Sequence, residues 1–227
     1  GHFRVMQFND LIHLHADVLI QSGIVVDGNA EDNLVMKSLR LMRSKYEIPP
    51  IEVHLLKGIP FGAGLGGGSA DASFMLKLLN DTFGFMIPDD ELAGFAVQLG
   101  ADCPFFIYNR PLFAGGIGDE FENVNISLTG YNFILIKPNI HVATKDAFSQ
   151  IEPKQPDISL KQIIRHPVAE WRELMINDFE KSVFAKYPEI SFIKERLYDL
   201  GAVYASMSGS GSSVFALFDT RIENVDS

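Results

Sequence analysis

From Leu11 to Leu19 the chain alternates in part. Leu11, His13, His15 and Asp17 fall on one side, and Ile12, Leu14, Ala16 and Val18 on the other. A period of two is that of a strand covered on one face. After the turn-like DGNAEDN, the stretch LVMKSLRLMRSKY carries Leu34, Met36, Leu39, Leu41 and Met42 at helical spacing, with basic residues toward its end, as the helix dipole favours. PPIEVHLLKGIP then alternates Ile51, Val53 and Leu55 against Glu52 and His54, a strand that runs into a glycine-rich stretch. From Ser69 the residues Ala70, Ala72, Phe74, Met75, Leu76, Leu78 and Leu79 predict a buried helix of about three turns, apolar most of the way round. Ser69 is the expected N-cap and Asp71 the expected acid of its first turn. Pro88 with Asp89, Asp90 and Glu91 opens another helix that Gly100 closes, by the usual start and stop signals.

Beyond it, PLFAGGIGDEF reads as a glycine turn between short extended pieces, and the unbroken apolar run of YNFILIKPNI as an inner strand. Two more helices are expected, over Val168 to Val183 and around EISFIKERLYDLG, before a closing strand, Gly/Ser turn and strand in AVYASMSGSGSSVFALF. Helices and strands mix without strict alternation, so the expected class is α+β rather than a doubly wound sheet. A break near Thr129 and Gly130 gives two expected lobes, residues 1–128 and 129–227.

With 47% hydrophobic and 21% charged residues, 227 residues are enough for real cores. The formal net charge of −10 tells against nucleic acid or an anionic membrane as partner by bulk attraction, so any phosphate must be met by a local site. The lone Cys103 excludes an internal disulfide, suits a reducing cytoplasm, and reads as a small buried residue. No apolar run approaches the roughly 20 residues of a membrane span. His13 and His15 share a face but lack a nearby third ligand, so they are read as solvent-facing strand residues rather than a metal pair.

The glycine-rich stretch is PFGAGLGGGSADAS, Pro60 to Ser73, with five glycines between Gly62 and Gly68. Gly62, Gly64 and Gly67 satisfy the dinucleotide spacing, but a helix rather than a strand with an acidic residue follows. No Gly-Lys-Ser/Thr is present for a Walker loop, and the protein-kinase signatures are absent. What the three share remains: a strand, a bare loop and a helix N-terminus, which bring backbone N–H groups and a positive dipole end to one place. The expected ligand is phosphate.

The same residues resemble the ATP-binding motif of the GHMP kinase superfamily. The three-glycine form followed by Ser, a small residue, Asp and Ala resembles the branch that phosphorylates a cytidine-diphosphate-linked methylerythritol in non-mevalonate isoprenoid synthesis. EDNL at Glu31, LGADCPFF at Leu99, IKPNIHVATKDAF at Ile136, NDFEKSVFAKYPEI at Asn177 and MSGSGSSVFALF at Met207 agree in order and spacing. The resemblance implies a two-lobed α+β fold with the active site in the inter-lobe cleft, an ATP-binding N-terminal lobe and a substrate-binding C-terminal lobe. It implies an ATP-dependent phosphotransferase with an alcohol acceptor, namely the 2-hydroxyl of that substrate, and Mg²⁺ as companion of ATP. Pro60, Phe61, Gly62, Ala63, Gly64, Leu65, Gly66, Gly67, Gly68, Ser69 and Ala70 are then expected around the triphosphate, and Asn33 and Leu34 near the adenine. Asp102 matches the catalytic aspartate, expected to accept the hydroxyl proton; read by itself it would be a turn residue after a helix.

Lys57 matches a position tied to the cytosine nucleotide, against the alternative of a solvated strand-end lysine. Thr144 and Phe148 match a substrate-facing segment, although Phe148 suits a core equally. Ser208, Gly209, Ser210 and Gly211 offer a second bare backbone toward the substrate, or serve only their own turn. Ser69 is the single hydroxyl offered to the metal. The family's opening P-A-K-I-N-L and D-G-Y-H motifs have no counterpart in this sequence, nor do its final helix and strand. The lysine expected beside Asp102 is therefore unidentified, and both ends of the fold are expected to be missing. Another GHMP-type kinase, acting on homoserine or mevalonate, and a nucleotide-binding protein without catalysis stay open as alternatives.

Overall fold

The computed structural model describes residues 2–6, 17–24, 29–60, 62–118, 120–149, 151 and 156–219. His13 and His15, with most of the strand expected over 11–19, lie outside the described residues. The chain divides into two compact units, Gly1–Phe61 with Gly66–Asn123, and Gly62–Leu65 with Val124–Ser227.

In the first unit three strands, β1 (His2–Met6), β2 (Val18–Gly23) and β3 (Glu52–Lys57), form a sheet in the order β1-β3-β2. β3 is antiparallel to β1 and parallel to β2. The alternation read from the sequence holds: Ile51, Val53 and Leu55 are buried, and the same parity turns Lys57 inward. Among the described residues α1 (Leu34–Arg43) lies between β2 and β3, and α2 (Gly67–Phe83), α3 (Asp89–Ala96) and α4 (Cys103–Tyr108) follow β3, with a hairpin of β4 (Leu112–Gly115) and β5 (Glu120–Asn123) after them. Val35, Leu39 and Met42 of α1 and Ala72, Met75, Leu76 and Leu79 of α2 join Val53 and Leu55 in one core.

α2 corrects the sequence reading in three ways. It begins two residues before Ser69, runs for 17 residues, and has Gly66 rather than Ser69 as its N-cap, with no side-chain cap bond. Asp71 falls outside the first turn, and it is buried. The helix is also less enclosed than its composition suggests, because Phe74 is exposed. The i, i+3, i+4, i+7 set at 72, 75, 76 and 79 supplies the burial that carries two glycines into the first turn.

The second unit holds β6 (Asn132–Ile136), α5 (Thr144–Phe148), α6 (Leu160–Ile163), α7 (Trp171–Leu174), α8 (Phe179–Lys186), α9 (Pro188–Asp199), β7 (Tyr204–Met207) and β8 (Val214–Phe218). Its antiparallel sheet has the order β6-β8-β7. β6 is therefore an edge among the described strands and not the inner strand its apolar run suggested. Ile134 and Ile136 pack on the core of this unit, while Phe133 is 60% exposed and stacks on Phe215 at 5.8 Å.

The single helix expected over Val168 to Val183 is broken. A 3-10 turn (Val168–Glu170) leads into α7, Met175 becomes extended, and α8 starts only at Phe179. The Tyr204 hydroxyl donates to the Met175 carbonyl at 3.1 Å, and the Asn177 side chain accepts from the Phe179 N–H at 3.0 Å. Asn next to Asp gives the backbone non-helical partners, so the chain restarts its helix there. The α9 helix and the closing strand, turn and strand stand as the sequence predicts. Among the described residues no helix is long and apolar enough to cross a membrane.

Candidate functional site

The glycine stretch is shared between the units. Gly62 to Leu65 belong to the second, and Gly66 onward to the first. Pro60 is half-buried, and Phe61 lies outside the described residues.

In the second unit, residues 62–65 rest on the turn between β7 and β8. The Ser208 hydroxyl donates to the Gly64 carbonyl at 2.8 Å, and the Ser213 N–H donates to the Ala63 carbonyl at 3.2 Å. The turn closes on itself through Ser208 N–H to Ser213 carbonyl at 2.8 Å and Gly211 N–H to Ser208 carbonyl at 2.9 Å. Gly64 has a φ of +72°, and a Cβ on it would collide with the Ser208 carbonyl and sit 2.9 Å from that of Gly211. Two backbones approach here with no room for a side chain. Ser208, Gly209, Ser210 and Gly211, expected against the substrate, thus belong to a turn that packs against the glycine loop within the second unit.

In the first unit Gly66 takes the left-handed conformation, φ +61°, and opens α2. A Cβ there would lie 2.7 Å from the ring of Phe106. Because no side chain caps this end, the first-turn N–H groups of Gly67, Gly68 and Ser69 are left for a ligand. The dipole adds positive potential at the same place. Beneath it, Lys57 is 2% exposed and its ammonium is ion-paired with Asp71. A Cβ on Gly67 would come within 3.4 Å of that Nζ. Lys57 is therefore no solvated strand-end residue, and its stem has no exposed face for a base to stack on. The strand parity that buries Val53 and Leu55 carried this signal, and Asp71, the partner, was missed because it was read as a first-turn acid.

Asp102 is exposed and precedes α4, making no cap bond to it. Its neighbourhood is tied to α2. The Ser73 hydroxyl donates to the Cys103 carbonyl at 2.6 Å and to the Ser69 carbonyl at 2.9 Å, so the residue after Asp102 is anchored about two turns from the open end of α2. Cys103 is buried as expected. Burial pushes its thiol pKa up, the Ser69 and Ser73 hydroxyls pull it down, and the Asp102 charge pushes it further up. Asp102, Ser69 and the start of α2 thus share one region of the first unit.

The remaining expected residues are placed as follows. Asn33 caps α1, its side chain accepting from the Val35 N–H at 2.9 Å, and Leu34 packs on the core of the first unit. Thr144 opens α5. Phe148 is exposed and meets Phe179 edge-on at 4.8 Å, so the core alternative for it is excluded.

Two family models match, the N-terminal domain of GHMP kinases over residues 33–110 and the C-terminal domain of GHMP kinases over residues 159–225. A protein of Parabacteroides distasonis named 4-diphosphocytidyl-2-C-methyl-D-erythritol kinase is 59% identical over 199 residues, covering 88% of this chain and 73% of that protein. One of Cytophaga hutchinsonii with the same name is 42% identical over 225 residues, covering 97% and 83%. The crystal structure of a 4-(cytidine 5'-diphospho)-2C-methyl-D-erythritol kinase superposes with a TM-score of 0.76 at 26% identity, covering 95% of this chain and 75% of that one.

Proposed function

This chain belongs to the 4-diphosphocytidyl-2-C-methyl-D-erythritol kinase family of GHMP kinases, and from that premise we propose that it transfers the γ-phosphoryl group of ATP to the 2-hydroxyl of 4-diphosphocytidyl-2-C-methyl-D-erythritol in the cytoplasm. The observation that carries the reading is the uncapped N-terminus of α2 behind a left-handed Gly66, a site whose free N–H groups and dipole suit a polyphosphate. Gly64 and Gly66 are bare because a Cβ there would strike the Ser208 carbonyl and the Phe106 ring, and both take the left-handed backbone that glycine allows.

In this reading residues 60–70 hold the triphosphate, and Asn33 and Leu34 lie toward the adenine. The Ser69 hydroxyl, a hard oxygen in the first turn of α2, suits the Mg²⁺ that accompanies ATP. That ion would neutralise charge on the β- and γ-phosphates. Asp102 acts as the base: its carboxylate takes the proton of the acceptor hydroxyl as that oxygen bonds to the γ-phosphorus and the bridge to ADP breaks. Thr144 and Phe148 are assigned to the acceptor. Lys57 is assigned away from the cytosine and to the support of α2, through Asp71.

A coupled assay of ADP release, on the intact protein with ATP, Mg²⁺ and the diphosphocytidyl substrate, tests the proposal. Turnover is expected, and Asp102→Asn should reduce kcat by about 10²–10⁴-fold with the KM for ATP little changed. Turnover with homoserine or mevalonate, but not with the diphosphocytidyl compound, would overturn it.

A further inference from the structure

The support behind residues 62–65 extends one step past Ser208. Asn177, in the link between α7 and α8, donates from Nδ2 to the carbonyls of Met207 and of Gly209, each at 2.8 Å. Its Oδ1 accepts from the Phe179 N–H at 3.0 Å. That bond fixes the sense of the amide: with the oxygen taken by a donor, the NH₂ is the end presented to the two carbonyls. Close by, Glu180 is 6% exposed and accepts from the Met207 N–H at 2.9 Å and from Lys194 Nζ at 2.6 Å. Both main-chain polar groups of Met207, and the carbonyl of Gly209, are thus gripped by two side chains from one short segment. Ser208 lies between them.

Ser208 in turn grips the glycine loop, through its hydroxyl on the Gly64 carbonyl at 2.8 Å, while Ser213 N–H holds the Ala63 carbonyl at 3.2 Å. A trans peptide carries its C=O and the following N–H on opposite sides. With the carbonyls of Ala63 and Gly64 turned toward the 208–213 turn, the N–H groups of Gly64 and Leu65 are turned away from it. We propose that Asn177 is a positioning residue for the triphosphate: by fixing Met207 and Gly209 it fixes Ser208, and through Ser208 it aims the Gly64 and Leu65 N–H groups at phosphate oxygens. The proposal rests on the kinase reading above.

Asn177→Asp separates this role from the cap of α8. The substitution keeps the oxygen that accepts from Phe179 N–H and replaces the NH₂ by an oxygen set against two carbonyls. In the ADP-release assay the KM for ATP should rise about tenfold, with kcat and the KM for the diphosphocytidyl acceptor changing less than about twofold. Ser208→Ala, which removes one link of the same chain, should give the same split at about threefold, and it carries the test where Asn177→Asp does not fold. An unchanged KM for ATP, or equal rises in both KM values alongside a lower thermal midpoint, overturns the proposal in favour of a merely structural asparagine. Absence of turnover in the unsubstituted protein overturns the kinase reading instead. Calorimetric titration with ADP and Mg²⁺ then reads the clamp alone, about tenfold weaker binding by Asn177→Asp being expected and equal binding sinking the idea.

Discussion

Lys57 and Asp71 face each other in the core of the first unit, an ammonium and a carboxylate taken out of water directly under the start of α2. Burial of such a pair is roughly neutral when both charges are present and costly when one is removed. Asp71→Asn removes the Asp71 charge from beside a buried ammonium and should destabilise the fold by about 3–5 kcal/mol. The double change Lys57→Met with Asp71→Leu should recover most of that loss. Urea denaturation of the three proteins checks the ordering, and a double variant no more stable than Asp71→Asn contradicts it. The inward turn of Lys57 was legible in the parity of Ile51, Val53 and Leu55. Its partner was not, since an Asp in a first helical turn is equally suited to the dipole, and only the packing of α2 on β3 decides between the two roles.

At the scale of the element, the glycine stretch, α1, β3, α9 and the final hairpin follow from local pattern, because in each the period of the apolar residues and the flanking turn signals agree. The misread elements are those where tertiary contacts overrule that pattern. The segment 168–183 has helical composition throughout, yet Asn177 and Tyr204 draw its middle out of the helix by hydrogen bonds to the backbone. β6 has the unbroken apolar run of an inner strand, yet it lies at the edge of its described sheet with Phe133 outward. α2 gives a test of how its faces divide. Leu79 is fully buried whereas Phe74 is 38% exposed. Leu79→Ala should cost about 2–5 kcal/mol, and Phe74→Ala about 1 kcal/mol or less despite its larger side chain. Thermal unfolding of both variants measures the contrast; equal costs would mean that the helix is enclosed on all sides, as its composition alone suggested.

For the molecule as a whole, a ligand that binds only the folded protein must stabilise it by mass action. ATP with Mg²⁺ at about a hundred times its dissociation constant should add about 2.7 kcal/mol. In a chain of this size that corresponds to a rise of roughly 5–10 °C in Tm, readable by scanning calorimetry. A midpoint indifferent to the nucleotide would remove the basis for phosphate binding at α2. The candidate site was legible to the extent that it lies in one contiguous motif, Pro60 to Ala70. The sequence marks Ser208 for the substrate, but its bond to the Gly64 carbonyl and those of Asn177 to the Met207 and Gly209 carbonyls escape it, because side chains that act on carbonyl groups leave no spacing to detect.

The division of the glycine loop has a consequence in time. The Ser208 to Gly64 hydrogen bond joins positions 144 residues apart, and residues 62–65 belong to the unit made mostly of the later half of the chain. At about 5–20 residues per second, a ribosome finishes Gly64 roughly 7–30 s before Ser208 exists. During that interval the strand before the loop and the helix after it can form, while residues 62–65 lack the turn that shapes them. The nascent chain therefore completes its grip on nucleotide late in synthesis, the open end of α2 preceding by that interval the turn that shapes residues 62–65.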